Sequence, residues 1–120
     1  MTLGDLILEL DSTAYSKDWR VLFEDGNYPN EFDSYRGIYR HVALDWGPTP
    51  ITVAELLDRT RATVGRTFQG YKGGDFHMDL DTPIWVAQYG DATGIGLTHV
   101  RSFEEGVVTL LTADVDDYLW

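Results

Sequence analysis

Two tyrosines and two arginines fall within six residues of this chain, in Ser34-Tyr35-Arg36-Gly37-Ile38-Tyr39-Arg40. A guanidinium grips phosphate or carboxylate through paired hydrogen bonds and stacks on rings, and a tyrosine offers stacking area with a polar tip. On a strand, Arg36 and Arg40 would share one face and Tyr35 and Tyr39 the other. A second cluster, Gly70-Tyr71-Lys72-Gly73-Gly74, sets an aromatic and a lysine between glycines, the composition of a presented loop. If the clusters met across a cleft or a subunit boundary, Arg36, Arg40 and Lys72 would bind phosphate. Tyr35, Tyr39 and Tyr71 would stack on a base. These six residues are the expected binding set for a planar anionic ligand such as a nucleotide. The competing reading is an exposed strand whose arginines pair with the abundant acids.

Other constellations carry less. Asp75, His77, Asp79 and Asp81 recur at period two, and oxygen-rich ligation would suit a divalent cation. Ligands in a row along one strand stand ~7 Å apart, too spread to converge on one ion. Phe76, Met78 and Leu80 on the other face make a half-buried strand the simpler explanation. Gly90-Asp91-Ala92-Thr93-Gly94-Ile95-Gly96 lacks the Gly-Lys-Ser/Thr end of a phosphate loop and reads as a turn with a bulge. His41, His77 and His99 stand in unrelated contexts, and no serine nucleophile elbow is present. No catalytic residue, metal ligand or cofactor is expected, and the chain is not expected to be an enzyme.

The chain that must position these residues has 120 of them, with a net charge of −11 and 43% hydrophobic residues. That suits one domain with a real core. Seven scattered arginines and two lysines give no basic stripe for a nucleic-acid backbone, so direct nucleic-acid binding is not expected. Strong acidity favours solubility, or a meeting with a basic protein surface. Cysteine is absent, which fits a reducing compartment. Neither a basic leader nor an apolar run of membrane-spanning length is visible, so a soluble intracellular protein is expected.

Thr2 and Asp5 begin a capping box, and Leu3, Leu6, Ile7 and Leu10 make one apolar stripe ending near Asp11. Residues 17–23 alternate as a strand. Asp25-Gly26-Asn27 and Tyr28-Pro29-Asn30 are both turn signals, and residues 38–46 form a second strand paired with the first. Thr52 and Glu55 make a full capping box for a helix that buries Val53, Leu56, Leu57, Thr60 and Val64 and stops at Gly65. Residues 75–80 alternate, 83–88 are an apolar run, and 94–103 with 106–112 form a hairpin. The expected fold is a single α+β domain over residues 1–120, two short helices on one face of a mainly antiparallel sheet, in the order α-β-β-α-β-β-β. The acidic-aromatic tail 114–120 frays or docks.

Ser34-Tyr35-Arg36-Gly37-x-Tyr39, Thr52-Val53-Ala54-Glu55-Leu56-Leu57, Gly70-Tyr71-Lys72-Gly73-Gly74 and Thr82-Pro83-Ile84-Trp85-Val86-Ala87-x-Tyr89-Gly90 together resemble a family of small bacteriophage-encoded accessory proteins. The similarity spans about residues 3–108 and carries over no catalytic residue. It implies an anti-defence protein in the host cytoplasm that sequesters a nucleotide immune signal. Homo-oligomerisation is expected there, because a pocket at a two-fold interface buries more of a ligand. The alternative is an acidic inhibitor of a host protein that occupies a nucleic-acid groove. A third reading is a virion or assembly component.

Overall fold

Thr2 and Thr52 open their helices with the same reciprocal pair of hydrogen bonds. In the computed structural model, which describes residues 1–35, 40–70 and 73–114, Asp5 N donates to Thr2 Oγ1 at 3.2 Å and Thr2 N to the Asp5 carboxylate at 3.0 Å. Thr52 and Glu55 repeat the arrangement. Each box satisfies donors that a helix start leaves orphaned, worth about 1 kcal/mol. Helix α1 (Leu3–Leu10) and helix α2 (Val53–Thr63) follow as predicted. Leu3, Leu6 and Leu10 are buried, as are Val53, Leu56, Leu57 and Thr60. Thr63 takes the buried place expected of Val64, which turns extended as the C-cap ahead of Gly65.

The strands are β1 (Arg20–Phe23), β2 (Tyr28–Ser34), β3 (Val42–Gly47), β4 (Thr67–Gln69), β5 (Asp75–His77), β6 (Ile84–Gln88), β7 (Asp91–Glu104) and β8 (Val107–Asp114). Six form one sheet in the order β1-β8-β7-β6-β3-β2, and β4 and β5 pair separately. The fold is α+β, two helices with a mainly antiparallel sheet, though β1–β8 and β3–β6 pair in parallel. Several expected strands are corrected. Tyr28-Pro29-Asn30 opens β2 rather than forming a turn: on an edge strand Pro29 forfeits no ladder bond, and a bulge before Phe32 absorbs it. Of the strand expected over 38–46, residues 38 and 39 lie outside the described residues, and β3 starts at Val42 and pairs with β2 and β6, not with β1. Residues 17–19 precede β1 as a turn, and the strand expected over 75–80 stops at His77. Its partner β4 is three residues long, too short for periodicity to register.

Strand directions shape the molecule. β7 runs against both β6 and β8, so β1, β3, β6 and β8 all point the same way. The two edge strands are nevertheless joined by only four residues, 24–27. Gly26, at φ +87°, donates to Phe23 O, and Phe23 N donates to Asn27 O at 2.8 Å. The sheet is therefore curled into an incomplete barrel. α2 lies across its gap: Val53 N donates to Trp19 O beside β1, and Arg59 Nη1 donates to Asn30 O on β2 at 2.8 Å. α1 is pinned at the start of β6, where Leu3 N donates to Thr82 O. The concave face carries the main core, including Val21, Phe23, Phe32, Leu44, Val86, Leu97 and Leu110. Among the described residues no helix is long and apolar enough to cross a membrane.

Candidate functional site

Of the six residues expected to bind an anion, Arg36, Tyr39, Tyr71 and Lys72 lie outside the described residues. Tyr35 and Arg40 are described, and they differ. Tyr35 is only 2% exposed and lies on the convex face of the sheet. Its ring stacks on Trp85 at 4.4 Å with 6° between planes, and its hydroxyl accepts from Gly94 N at 3.0 Å. Trp85 Nε1 in turn donates to His41 Nδ1 at 3.0 Å. Partial burial, and then the neighbouring Arg40 charge, push the His41 imidazole below its ordinary value. Arg40 is exposed ahead of β3 and pairs with Asp79. The Asp79 carboxylate lies below its usual range chiefly because the Asp81 N–H donates to it, with Arg40 adding to the effect against some desolvation. Arg40 thus ties the chain just ahead of β3 to the chain just after β5.

The acid row of 75, 77, 79 and 81 does not stay in a row. His77 Nδ1 shares a hydrogen bond with Thr67 Oγ1 at 2.6 Å, and Asp79 leaves the strand for the turn that its backbone makes with Thr82. The glycine-rich stretch from Gly90 is the turn and bulge that its sequence predicts. Gln88 pairs with Asp91 across Tyr89 and Gly90, and the register shifts between Trp85 and Ala87.

A site that periodicity did not reveal lies at the open end of the barrel. The ends of β1, β3, β6 and β8 and the start of β7 bring Phe23, Trp46, Gln88, Thr112 and Ile95 around one cavity of about 230 Å³, with Val86 at its floor. The turn after β1 adds Glu24 and Asp25 to the rim. Glu24 Oε1 accepts from Thr112 N and, at 3.1 Å, from Thr112 Oγ1, which fixes the carboxylate against β8. Asp25 Oδ1 accepts from Asn27 N at 3.0 Å and closes its own turn. Among the described residues the lining holds two carboxylates and no cationic side chain.

Beside this mouth, the turn from β6 to β7 has both central residues at positive φ, Tyr89 at 51° and Gly90 at 90°. Such a two-residue turn suits the twist of a hairpin and prefers Asn-Gly. A bulky aromatic at the first position is strained, and backbone strain of this kind gathers at functional sites. The turn is held by Asp45 Oδ2, which accepts from Gly90 N at 2.8 Å. Tyr89 is thereby presented to solvent, 69% exposed, with its ring edge-on to Trp46 at 6.1 Å. The signal was available in Tyr89-Gly90, a large residue where a hairpin calls for asparagine.

Two other grooves are comparable or larger, one of about 380 Å³ beside α1 among Ile7, Leu8 and Leu80 and one of about 240 Å³ between α2 and β2. In the one between α2 and β2, Arg59 is engaged by Asn30 and Arg66 stands 4.5 Å above the Phe68 ring. On the convex face a cavity of about 40 Å³ lies among Asp33, Ser34, Tyr35 and Asp45, with room for one or two water-sized groups. Comparison with protein-family models, with curated proteins and with solved structures finds no match to this chain.

Proposed function

We propose that this chain is an accessory binding protein that docks on a basic surface of another protein. This is the alternative raised above, an acidic inhibitor, and the net charge of −11 supports it. The observation that carries it is the barrel mouth: a cavity with Phe23, Trp46, Val86 and Ile95 in its lining, whose only charged lining residues among those described are Glu24 and Asp25. Its volume of about 230 Å³ falls below the ~300–1,000 Å³ of pockets that enclose drug-sized molecules. A single side chain fits such a space better than a nucleotide does. A phosphate would also have to approach a chain of net charge −11 past two carboxylates.

The test is fluorescence anisotropy with a labelled arginine-rich decapeptide across a salt series. Binding should weaken about tenfold or more between about 50 and 300 mM salt, because the attraction between exposed charges is screened. No binding at the low-salt end would remove this reading.

Sequestration of a nucleotide is the second reading. Its support is the composition of the two Tyr-and-cation clusters, of which Arg40, described on the surface, is held against Asp79. Native mass spectrometry with a panel of cyclic and ADP-ribose-type nucleotides separates the two. A saturable, unmodified adduct lost on Arg40→Ala would favour sequestration, and the same spectra report whether the protein is an oligomer.

A further inference from the structure

We infer that the barrel mouth is a pocket for one arginine side chain of the partner protein, with the guanidinium against Trp46 and its N–H groups on the Glu24 and Asp25 carboxylates. The inference rests on the proposed docking reading and names the group that would anchor it.

Acceptors come first. Glu24 and Asp25 each commit one oxygen to the protein, Glu24 Oε1 to Thr112 and Asp25 Oδ1 to Asn27. The second oxygen of each has no partner among the described residues, and both residues are exposed. The bonds already made hold both carboxylates in place, so little side-chain freedom is lost when a donor arrives. Gln88 on the lining adds an amide to the acceptors within the same cavity.

The aromatic wall favours a flat cation. Trp46 is half-buried, with Tyr89 set edge-on at 88° against it. A cation over an indole face is attracted by the ring quadrupole, more so where water is excluded. Guanidinium is planar, stacks, forks to carboxylates and sheds water more easily than ammonium. Phe23, Val86 and Ile95 would line the methylene stem. A carboxylate or phosphate has no cationic partner here among the described residues, and a neutral side chain would leave the rim oxygens unmatched.

The probe is N-acetyl-arginine methylamide, with its lysine and citrulline counterparts as controls, read from the indole N–H resonance of Trp46 (assigned by its loss in Trp46→Phe). Arginine should shift that resonance saturably, with half-saturation on the order of a few millimolar. Lysine should bind about fivefold more weakly, and citrulline, isosteric but uncharged, should not saturate. Glu24→Gln with Asp25→Asn should lose about tenfold in arginine affinity. Amides keep acceptors for Thr112 and Asn27, and the thermal midpoint checks that the variant folds. If it does not, the arginine–citrulline comparison on the unaltered protein still decides. No shift at Trp46, or an equal shift with citrulline, overturns the arginine pocket. If the decapeptide still binds in that case, only this inference falls; if neither probe binds, the docking reading falls with it.

Discussion

Two tyrosine–tryptophan pairs lie on opposite faces of the curled sheet and do opposite things. On the convex face Tyr35 lies flat on Trp85, nearly parallel and almost wholly buried. On the concave side Tyr89 stands edge-on to Trp46 and is mostly exposed. The first pair is joined to its surroundings by hydrogen bonds from Gly94 to Tyr35 and from Trp85 to His41. The second is held by its backbone, through a strained turn that Asp45 anchors. The same two side chains therefore make a lock where their polar tips are satisfied and a presented surface where a turn lifts them out.

The comparison is broken most directly by deleting each tryptophan. Trp85→Ala removes the stack under Tyr35 and the donor to His41, and should lower unfolding stability in urea by about 3 kcal/mol. Trp46→Ala, at the rim of an open cavity, should cost about 1 kcal/mol while abolishing arginine binding. Equal losses of stability would mean that the open pair is as structural as the closed one.

The strained turn offers a sharper and smaller test. Tyr89→Asn puts the preferred residue at a positive φ, and should raise stability by about 0.5–1 kcal/mol, as relief of a left-handed aromatic predicts. The same variant should weaken the decapeptide, because the aromatic next to Trp46 is gone. A stabilised protein that binds equally well would leave Tyr89 outside the docking surface.

Legibility in the sequence followed the range of the interactions. Both helices could be read from Thr2 with Asp5 and Thr52 with Glu55, since a cap and an i, i+4 stripe are local. The β7–β8 hairpin was equally local, its turn marked by Gly106 at φ +90°. Pro29 misled because its effect depends on whether its strand is an edge, and strand order is not local. The parallel pairs β1–β8 and β3–β6 join segments far apart in sequence, and they bring Phe23, Trp46, Gln88 and Thr112 to one end. No spacing along the chain encodes that convergence. The Tyr-Arg cluster stood out because its residues are adjacent. Yet adjacency placed Tyr35 in the convex-face core and Arg40 on the surface against Asp79.

The smallest effect tests the closed pair from the other side. His41 Nδ1 accepts from Trp85, which requires that nitrogen to be unprotonated. Burial and Arg40 keep the folded imidazole below its ordinary value of 6.5. Above that pH both folded and unfolded chains hold it neutral, and its contribution is complete. As pH falls through 6.5, the unfolded chain takes up the proton first, so stability declines until the folded imidazole protonates as well. Protonation there also removes the acceptor for Trp85. His41→Gln keeps an acceptor and removes the titration, so its stability should fall less than the unaltered protein's between about pH 7 and 5. Urea unfolding at both pH values measures the difference. Identical slopes would show that His41 is not coupled to the closed pair, and that the Tyr35–Trp85 stack holds without it.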